Sequence, residues 1–413
     1  MALDRQQVRL LLPLGTAMAL SLTGDLTMYA VLANQIDVMG IGLGVVGLLL
    51  GVNRMIRIPG NLVAGAFYDR SRRRRLFLVG LSVGIVSTMS YSLVRGFWPL
   101  FFGRMLWGIA WSLINVGGYT MILDRSTAVD RGRMTGLYQM AFMLGLTISP
   151  ILGGALTDTL GFRQAVRICA LVSSLGLVVA LVALPETRAQ DEIGNGSGWR
   201  RLNGQQLLHW TRRLQKIDPQ VLVASYIYFA TLFVSSGVLM STLGLYLERR
   251  WGTDIAVGTT VIGVASLAGV ILGMRALLGI VAGPVAGTLS DRLGDRWPVA
   301  RGGMLLGAGG FLILGFLGSV GAVPIGVAAI SIGAGALAAT LTAVAGDIAK
   351  EKRRGVTMGG LATAGDVGAA LGPPLAYALA VSLDLRWVYL SCAVVLASGL
   401  VVAAGQGRGL VKT

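Results

Sequence analysis

Charge is what this sequence has least of. Asp, Glu, Lys and Arg together make up 13% of its 413 residues, about half the ~25% that covers a typical soluble domain. That shortage excludes a soluble globular protein, and a hydrophobic share of 54% excludes a disordered chain. Cysteine is nearly absent: there are two, both inside apolar stretches, so no disulfide framework is implied. The single histidine, His209, lies in a polar interval, which leaves none for a proton relay within apolar segments. No Cys/His cluster, phosphate-cradling loop or nucleophile–base arrangement occurs, so no metal, cofactor or ATP chemistry is expected and the chain does not read as an enzyme. Acids are scarcer than bases, 19 against 35, for a net charge of +16. The bases lie in short segments between apolar runs rather than on one polar face, so nucleic acid is not the implied partner.

What is abundant is apolar length. Stretches long enough to cross a hydrocarbon core of about 30 Å fall near 10–33, 41–67, 76–94, 98–123, 134–157 and 164–184, and again near 219–247, 257–289, 303–320, 323–345, 356–380 and 387–404. The fold expected is an all-α membrane protein of twelve transmembrane helices in two pseudo-symmetric six-helix bundles, 1–184 and 219–413. Between them lies a linker, 185–218. There Leu207, Trp210, Leu214 and Ile217 recur at helical spacing against Arg212, Arg213 and Lys216, the pattern of an interfacial helix or simply of a tether. The opening MALDRQQVR is too short for a cleaved signal, so the first span is expected to be retained. Sixty glycines suit close helix contacts.

Basic residues set orientation. With the N-terminus inside, the inner segments hold 25 Lys and Arg and the outer segments six: Arg95, Arg163, Arg167, Arg249, Arg250 and Arg386. Both termini and the linker are therefore expected in the cytoplasm, and the protein in the inner membrane. The halves also repeat. A shift of 223 residues carries Asp124 onto Asp347, Arg131-Gly132 onto Arg354-Gly355, Gly136 onto Gly359, Gly145 onto Gly368, Pro150 onto Pro373, Arg163 onto Arg386 and Cys169 onto Cys392. A shift of 222 carries Gly65 onto Gly287 and Asp69-Arg70 onto Asp291-Arg292. Six spans per repeat make the repeats parallel, and such architecture places a substrate site between them at the midplane.

These motifs resemble the major facilitator superfamily over essentially the whole chain. Gly65-Ala-Phe-Tyr-Asp69-Arg70 followed by Arg72 to Arg75 is similar to the family's signature between helices 2 and 3, with Arg72 where the family usually has Gly. Gly287 to Arg296 is its second copy. The resemblance implies an inner gate built on Asp69, Arg70, Arg73, Asp291 and Arg292; the bases also serve topology. Leu100-Phe-Phe-Gly-Arg104-Met-Leu-Trp-Gly108 resembles the helix 4 motif, and Gly145-Leu-Thr-Ile-Ser-Pro150-Ile-Leu-Gly153-Gly154 the helix 5 motif of antiporters, which brings Gly145 and Pro150 into the gating set. The nearest subgroup is the twelve-helix drug:proton antiporters.

Intramembrane charges are costly and so point to function. Arg54, about 22 Å up the second span from Asp69 at the helical rise, shares a side with Asn53 and Arg57. Arg275 is nearly its counterpart in the second half. Arg104 is followed along one face by Trp107 and Trp111, which read equally as cavity lining or as packing. Against these four guanidiniums stand two acids, Asp25, with Tyr29 one turn on, and Asp366. Proton coupling is expected at Asp25, Arg104 and Asp366; substrate binding is expected at Tyr29, Asn53, Arg54, Arg57, Arg104, Trp107, Trp111 and Arg275. The surplus of positive charge leads to proton-coupled export of an amphipathic, anionic small molecule by a monomer. Flipping of an anionic lipid or glycolipid, with Phe229 and Phe233 beside the acyl path, and organic-anion symport are the competing readings. Protons, a small-molecule or lipid substrate and membrane lipids are the partners expected.

Orientation is directly testable. Single cysteines placed near Asp254 or Asp384 are expected to react with an impermeant maleimide outside the cell, and those near Ser71 or Gly196 are not. Reversed labelling would overturn the assignment.

Overall fold

The computed structural model of the chain describes residues 4–127, 130–188, 218–348 and 354–405. Twelve long helices account for nearly all of it: α1 (Arg5–Val31), α2 (Leu43–Tyr68), α3 (Arg73–Leu93), α4 (Phe97–Arg125), α5 (Arg131–Leu160), α6 (Phe162–Ala183), α7 (Pro219–Trp251), α8 (Val264–Leu293), α9 (Trp297–Phe316), α10 (Ala322–Ile348), α11 (Arg354–Ala380) and α12 (Leu385–Ala404). Eleven of them are long and apolar enough to cross a membrane. The remaining one, α11, has the length at 27 residues but is diluted by Gly, two prolines and Asp366. The linker helix expected around Leu207 to Ile217, and His209 with it, lie outside the described residues.

Local chemistry sets the helix ends. Asp218 caps α7 by accepting from Gln220 N at 2.9 Å, with Pro219 in the first turn, and Asp384 caps α12 by accepting from Arg386 N at 2.9 Å. Gly161, at φ +80°, is the whole connection between α5 and α6, a conformation that a side chain would strain. Two boundaries differ from the sequence reading. Residues 257–263 do not begin α8; they belong to a hairpin of β1 (Asp254–Val257) and β2 (Thr260–Gly263), in which Ile255 pairs with Ile262 and Gly258 turns at φ +64°. The β-branched run there is apolar enough to pass for membrane helix. Helix α9 starts at Trp297 rather than near 303, because Arg301 turns to the chain-terminal end and donates to Ala403 O at 3.1 Å.

The two halves meet along two seams related by the internal repeat, α2 against α11 and α5 against α8. Both are built from glycine facing backbone. A Cβ on Gly47 would collide with the Pro373 carbonyl, one on Gly154 with Ala265 O, and one on Gly269 with Pro150 O. On Gly51 it would lie 2.7 Å from Ala370 O. All these contacts lie toward the end of the bundle opposite the chain termini. Two polar clasps close the same end. Asp158 of α5 accepts from Ser266 N of α8 at 2.6 Å, and Asn34, beyond α1, donates to Glu248 of α7 at 2.8 Å. At the terminal end the halves stand apart: Gly65, Gly132, Gly136, Gly287, Gly359 and Gly360 face open space among the described residues. The conformation is closed at the far end and open toward the termini.

Replacing Gly154 by Val should push α8 off α5 at a cost of roughly 1–3 kcal/mol, the usual range for overpacking. The far-open population should grow accordingly, read as longer distances between spin labels on Thr159 and Val261. An unchanged distribution would show that the seam does not hold the far end.

Candidate functional site

Within the first half, three helices bring polar groups together around one carboxylate. Asp25 of α1 is buried and accepts from Arg104 Nη1 at 2.5 Å, from Asn53 Nδ2 at 3.0 Å and from Arg57 Nη2 at 3.5 Å. Arg104 of α4 is fully enclosed, and its Nε donates to the Leu49 carbonyl of α2 at 3.0 Å. A helical carbonyl and a carboxylate thus share one guanidinium, which sits 5.3 Å from the Tyr29 ring centroid. Asn53 relays the network: its Oδ1 lies 3.2 Å from the Tyr29 hydroxyl, which is also 2.9 Å from Leu50 O and accepts from Arg54 Nε at 3.1 Å.

From this buried hub the bases reach outward. Arg57 keeps 19% of its side chain exposed and lies 5.1 Å from the Trp111 ring, which itself rests on Phe142 at 5.5 Å. Arg54 crosses the boundary between the halves, its Nη2 reaching Met240 Sδ of α7 at 3.8 Å. On the opposite wall, Arg275 of α8 donates to Ser236 at 3.0 Å, and its buried Nε has no acceptor. Ser236 and Met240 lie in and just after a π-helical stretch of α7, Phe233–Leu239. That stretch abuts α11 where Gly237 faces Gly372. Asp366 of α11 is exposed and electrostatically coupled to Arg54 and Arg57. Arg54, Arg57, Arg275 and Asp366 therefore look into one gap between the halves.

Other residues singled out from sequence lie elsewhere. Trp107 is fully buried, wedged against α3 at Gly84, and does not reach the gap. Gly145 lets α1 approach α5, where a Cβ would lie 2.7 Å from Leu22, and Pro150 lends its carbonyl to the α5–α8 seam. At the terminal end, Arg73 of α3 pairs with Asp124 at 3.3 Å and Arg296 pairs with Asp347 at 2.8 Å. Asp291 also accepts from Arg296, and the hydrogen bond that Arg296 donates to Asp347, ahead of that to Asp291, raises the Arg296 pKa. Asp69 is exposed and makes no ion pair among the described residues; Arg70 and Arg292 are likewise exposed. In this open conformation Arg73, Asp291 and Arg296 form ion pairs within their own halves. Sequence reasoning missed Asp124 and Asp347 as partners, although each follows its Arg by 51 residues in both halves. It also missed Met240 and Ser236, which carry no charge to draw attention, and Asp158.

Two repeated six-helix halves thus enclose a charged gap that opens at one end. The chain belongs to the Major Facilitator Superfamily, whose model matches residues 14–279 and 264–405. It is similar to the class E tetracycline resistance protein of Escherichia coli, with 25% identity over 271 residues, 65% of this chain and 62% of that one. It is also similar to citrate exporter 1 of Aspergillus niger, with 29% identity over 140 residues, 34% and 26% of the two chains. An uncharacterised MFS-type transporter of Mycobacterium tuberculosis is 33% identical over 124 residues, 30% of this chain and 18% of that one. The chain thus spans less than two thirds of each of these relatives. Among solved structures, a bacterial homologue of the human lysosomal transporter Spinster, inward-facing and occupied, matches with a TM-score of 0.76 at 16% identity over 95% of both chains. The human organic anion transporter MFSD10 matches with a TM-score of 0.65 at 18% identity, over 97% of this chain and all of that one.

Removing one partner of a buried ion pair strands the other. Arg104→Gln should therefore lower stability by about 3 kcal/mol or more, seen as a drop in the thermal midpoint of the purified protein. The double change Asp25→Asn with Arg104→Gln should recover most of the loss. A single variant as stable as the parent would mean that Arg57 alone satisfies Asp25.

Proposed function

We propose that this chain is a proton-coupled exporter of an amphipathic, anionic small molecule. On this reading it works as a monomer in the inner membrane, with both termini cytoplasmic, by alternating access between its two halves. The observation that carries the anionic preference is Arg275. It is a guanidinium inside a membrane span whose hydrogen-bond partner is a serine, with a buried Nε left over. Asp25 is already occupied by Arg104, Asn53 and Arg57, and Arg54 meets only a phenol and a thioether. Two bases on facing walls of the gap are thus without a carboxylate in ion-pair contact among the described residues, and an anionic group on the substrate would complete them.

Export is supported by the Gly- and Pro-rich α5, and by relatives that are a tetracycline resistance protein and a citrate exporter. The open terminal end is the loading side that export requires. Proton coupling is assigned to Asp25: a proton there would release Arg104, Arg57 and Asn53 at once and loosen α1, α2 and α4 from one another. Asp366, in the gap, is the second candidate. A second reading, flipping of an anionic lipid, is favoured by Phe229 and Phe233, stacked on α7 at 6.0 Å and 17°.

Proteoliposomes carrying a pH gradient test the proposal. Arg54→Gln and Arg275→Gln should weaken binding of an anionic substrate by about one to two powers of ten, the equivalent of a lost charge-assisted hydrogen bond. A neutral analogue should be affected far less. Asp25→Asn should abolish uphill transport and leave exchange intact. Equal losses for charged and neutral ligands, accompanied by collapse of stability, would remove the anionic site. Full gradient-driven transport by Asp25→Asn would remove the proton from that residue.

A further inference from the structure

The outer segments hold six basic residues by the orientation assigned from sequence, and basic residues are selected against on that side. Half of them converge. Arg249, Arg250 and Arg386 line one cavity of about 450 Å³ at the end of the bundle opposite the termini, between the end of α7 and the turn joining α11 to α12. No residue of the site between the halves takes part. The internal repeat does not generate this pocket either. Arg163, the counterpart of Arg386, instead donates to Ser92 O at 3.4 Å.

Two of the three guanidiniums are held in place by the fold. Arg249 Nη1 donates to the Ala380 carbonyl at the end of α11, at 2.9 Å. Arg250 lies 5.6 Å from the Trp251 ring and 5.8 Å from that of Tyr246, whose hydroxyl accepts from it at 3.4 Å. A Cβ on Gly318 would lie 2.8 Å from Arg250 Nη2, so this glycine leaves the guanidinium its room. The pocket's one acid is spent locally: Asp384 accepts from Arg386 N at 2.9 Å and from Arg386 Nε at 3.2 Å, one oxygen for each. Three guanidiniums and one engaged carboxylate line this single cavity. That is the arrangement that binds a tetrahedral oxyanion. The rim adds a second character. Leu383 lines the cavity, and Leu383, Val381 and Trp387 are exposed beside it. Trp387, at the start of α12, is of the residue type enriched at the level of membrane headgroups.

We propose that this pocket is an oxyanion site for a phosphate group, separate from the transport site. The chemistry is the same whether the phosphate belongs to the headgroup of an anionic lipid or is free in solution, and the two sources can be separated. Purified protein is reconstituted in nanodiscs of phosphatidylcholine, with or without phosphatidylglycerol. A parallel series in detergent is titrated with inorganic phosphate against chloride at equal ionic strength. The thermal midpoint and retained lipid, read by native mass spectrometry, report binding. Protection by phosphatidylglycerol but not by phosphate assigns the site to lipid; protection by phosphate over chloride assigns it to a free oxyanion. In either case Arg386→Gln and Arg250→Gln should weaken binding about tenfold or more, while Arg163→Gln leaves it unchanged. Arg386 is exposed, so its variant should fold with an unaltered midpoint in the absence of ligand. Absence of protection by both probes, or equal loss in the Arg163 variant, would overturn the site.

Discussion

A carboxylate placed at the depth of the hydrocarbon core has no water to turn to and must be met by donors from its own protein. Asp25 is met from two other helices, by Asn53 and Arg57 of α2 and Arg104 of α4. Much else in the first half follows from that requirement. Arg104 is drawn to full burial and takes the Leu49 carbonyl as well, which ties α4 to α2 at the same level. Asn53 cannot turn away without breaking its link to Tyr29, and Tyr29 in turn holds the base of Arg54. The side chain that reaches the other half thus rests on a chain of contacts that begins at a buried charge.

The hydrogen-bond partners that the second half supplies to Arg54 and Arg275 are uncharged. Met240 and Ser236 meet Arg54 and Arg275 from a helix whose regular winding is interrupted over Phe233–Leu239. Wider π-turns shift the side chains that follow them around the helix axis and recur at functional sites. Here the interruption coincides with Gly237 packed on Gly372, so α7 and α11 are in close backbone contact where α7 is least regular. At the far end, Gly263 stands in the capping position of α8 and has no side chain to offer, so the cap comes in trans from Asp158 of α5. One half thereby completes the secondary structure of the other, and separating them there exposes a helix end as well as a seam.

The helices and their duplication were legible because crossing a bilayer demands length, and because matched Asp, Arg, Pro and Cys survive in one register. The ends were less so. Residues 257–263 are as apolar as a span, and only pairing partners distinguish a hairpin from a helical turn. Helix α9 begins before its apolar run, because a long side chain such as that of Arg301 can carry its charge to a helix end. At the site, charge scarcity singled out Asp25, Arg54, Arg57, Arg104, Arg275 and Asp366 at once. Which acid meets which base was not readable, since that depends on how α1, α2 and α4 pack. Trp107 shows the limit of periodicity: spacing placed it on the same face as Arg104, but not which neighbour that face meets. Met240 and Ser236, which carry no charge, gave no signal.

On the proposed mechanism the seams that separate set glycine against carbonyl at Gly47, Gly154 and Gly269. Interdigitated surfaces part only when many rotamers change together, as in a packed core. Two nearly bare backbones can slide or part with little rearrangement of either face. Friction along such a surface is low, and resistance to opening then comes from what fills the gap, lipid tail or water, more than from the protein itself. Bilayer composition and hydration would in that case set the pace of the cycle as much as any residue of the chain.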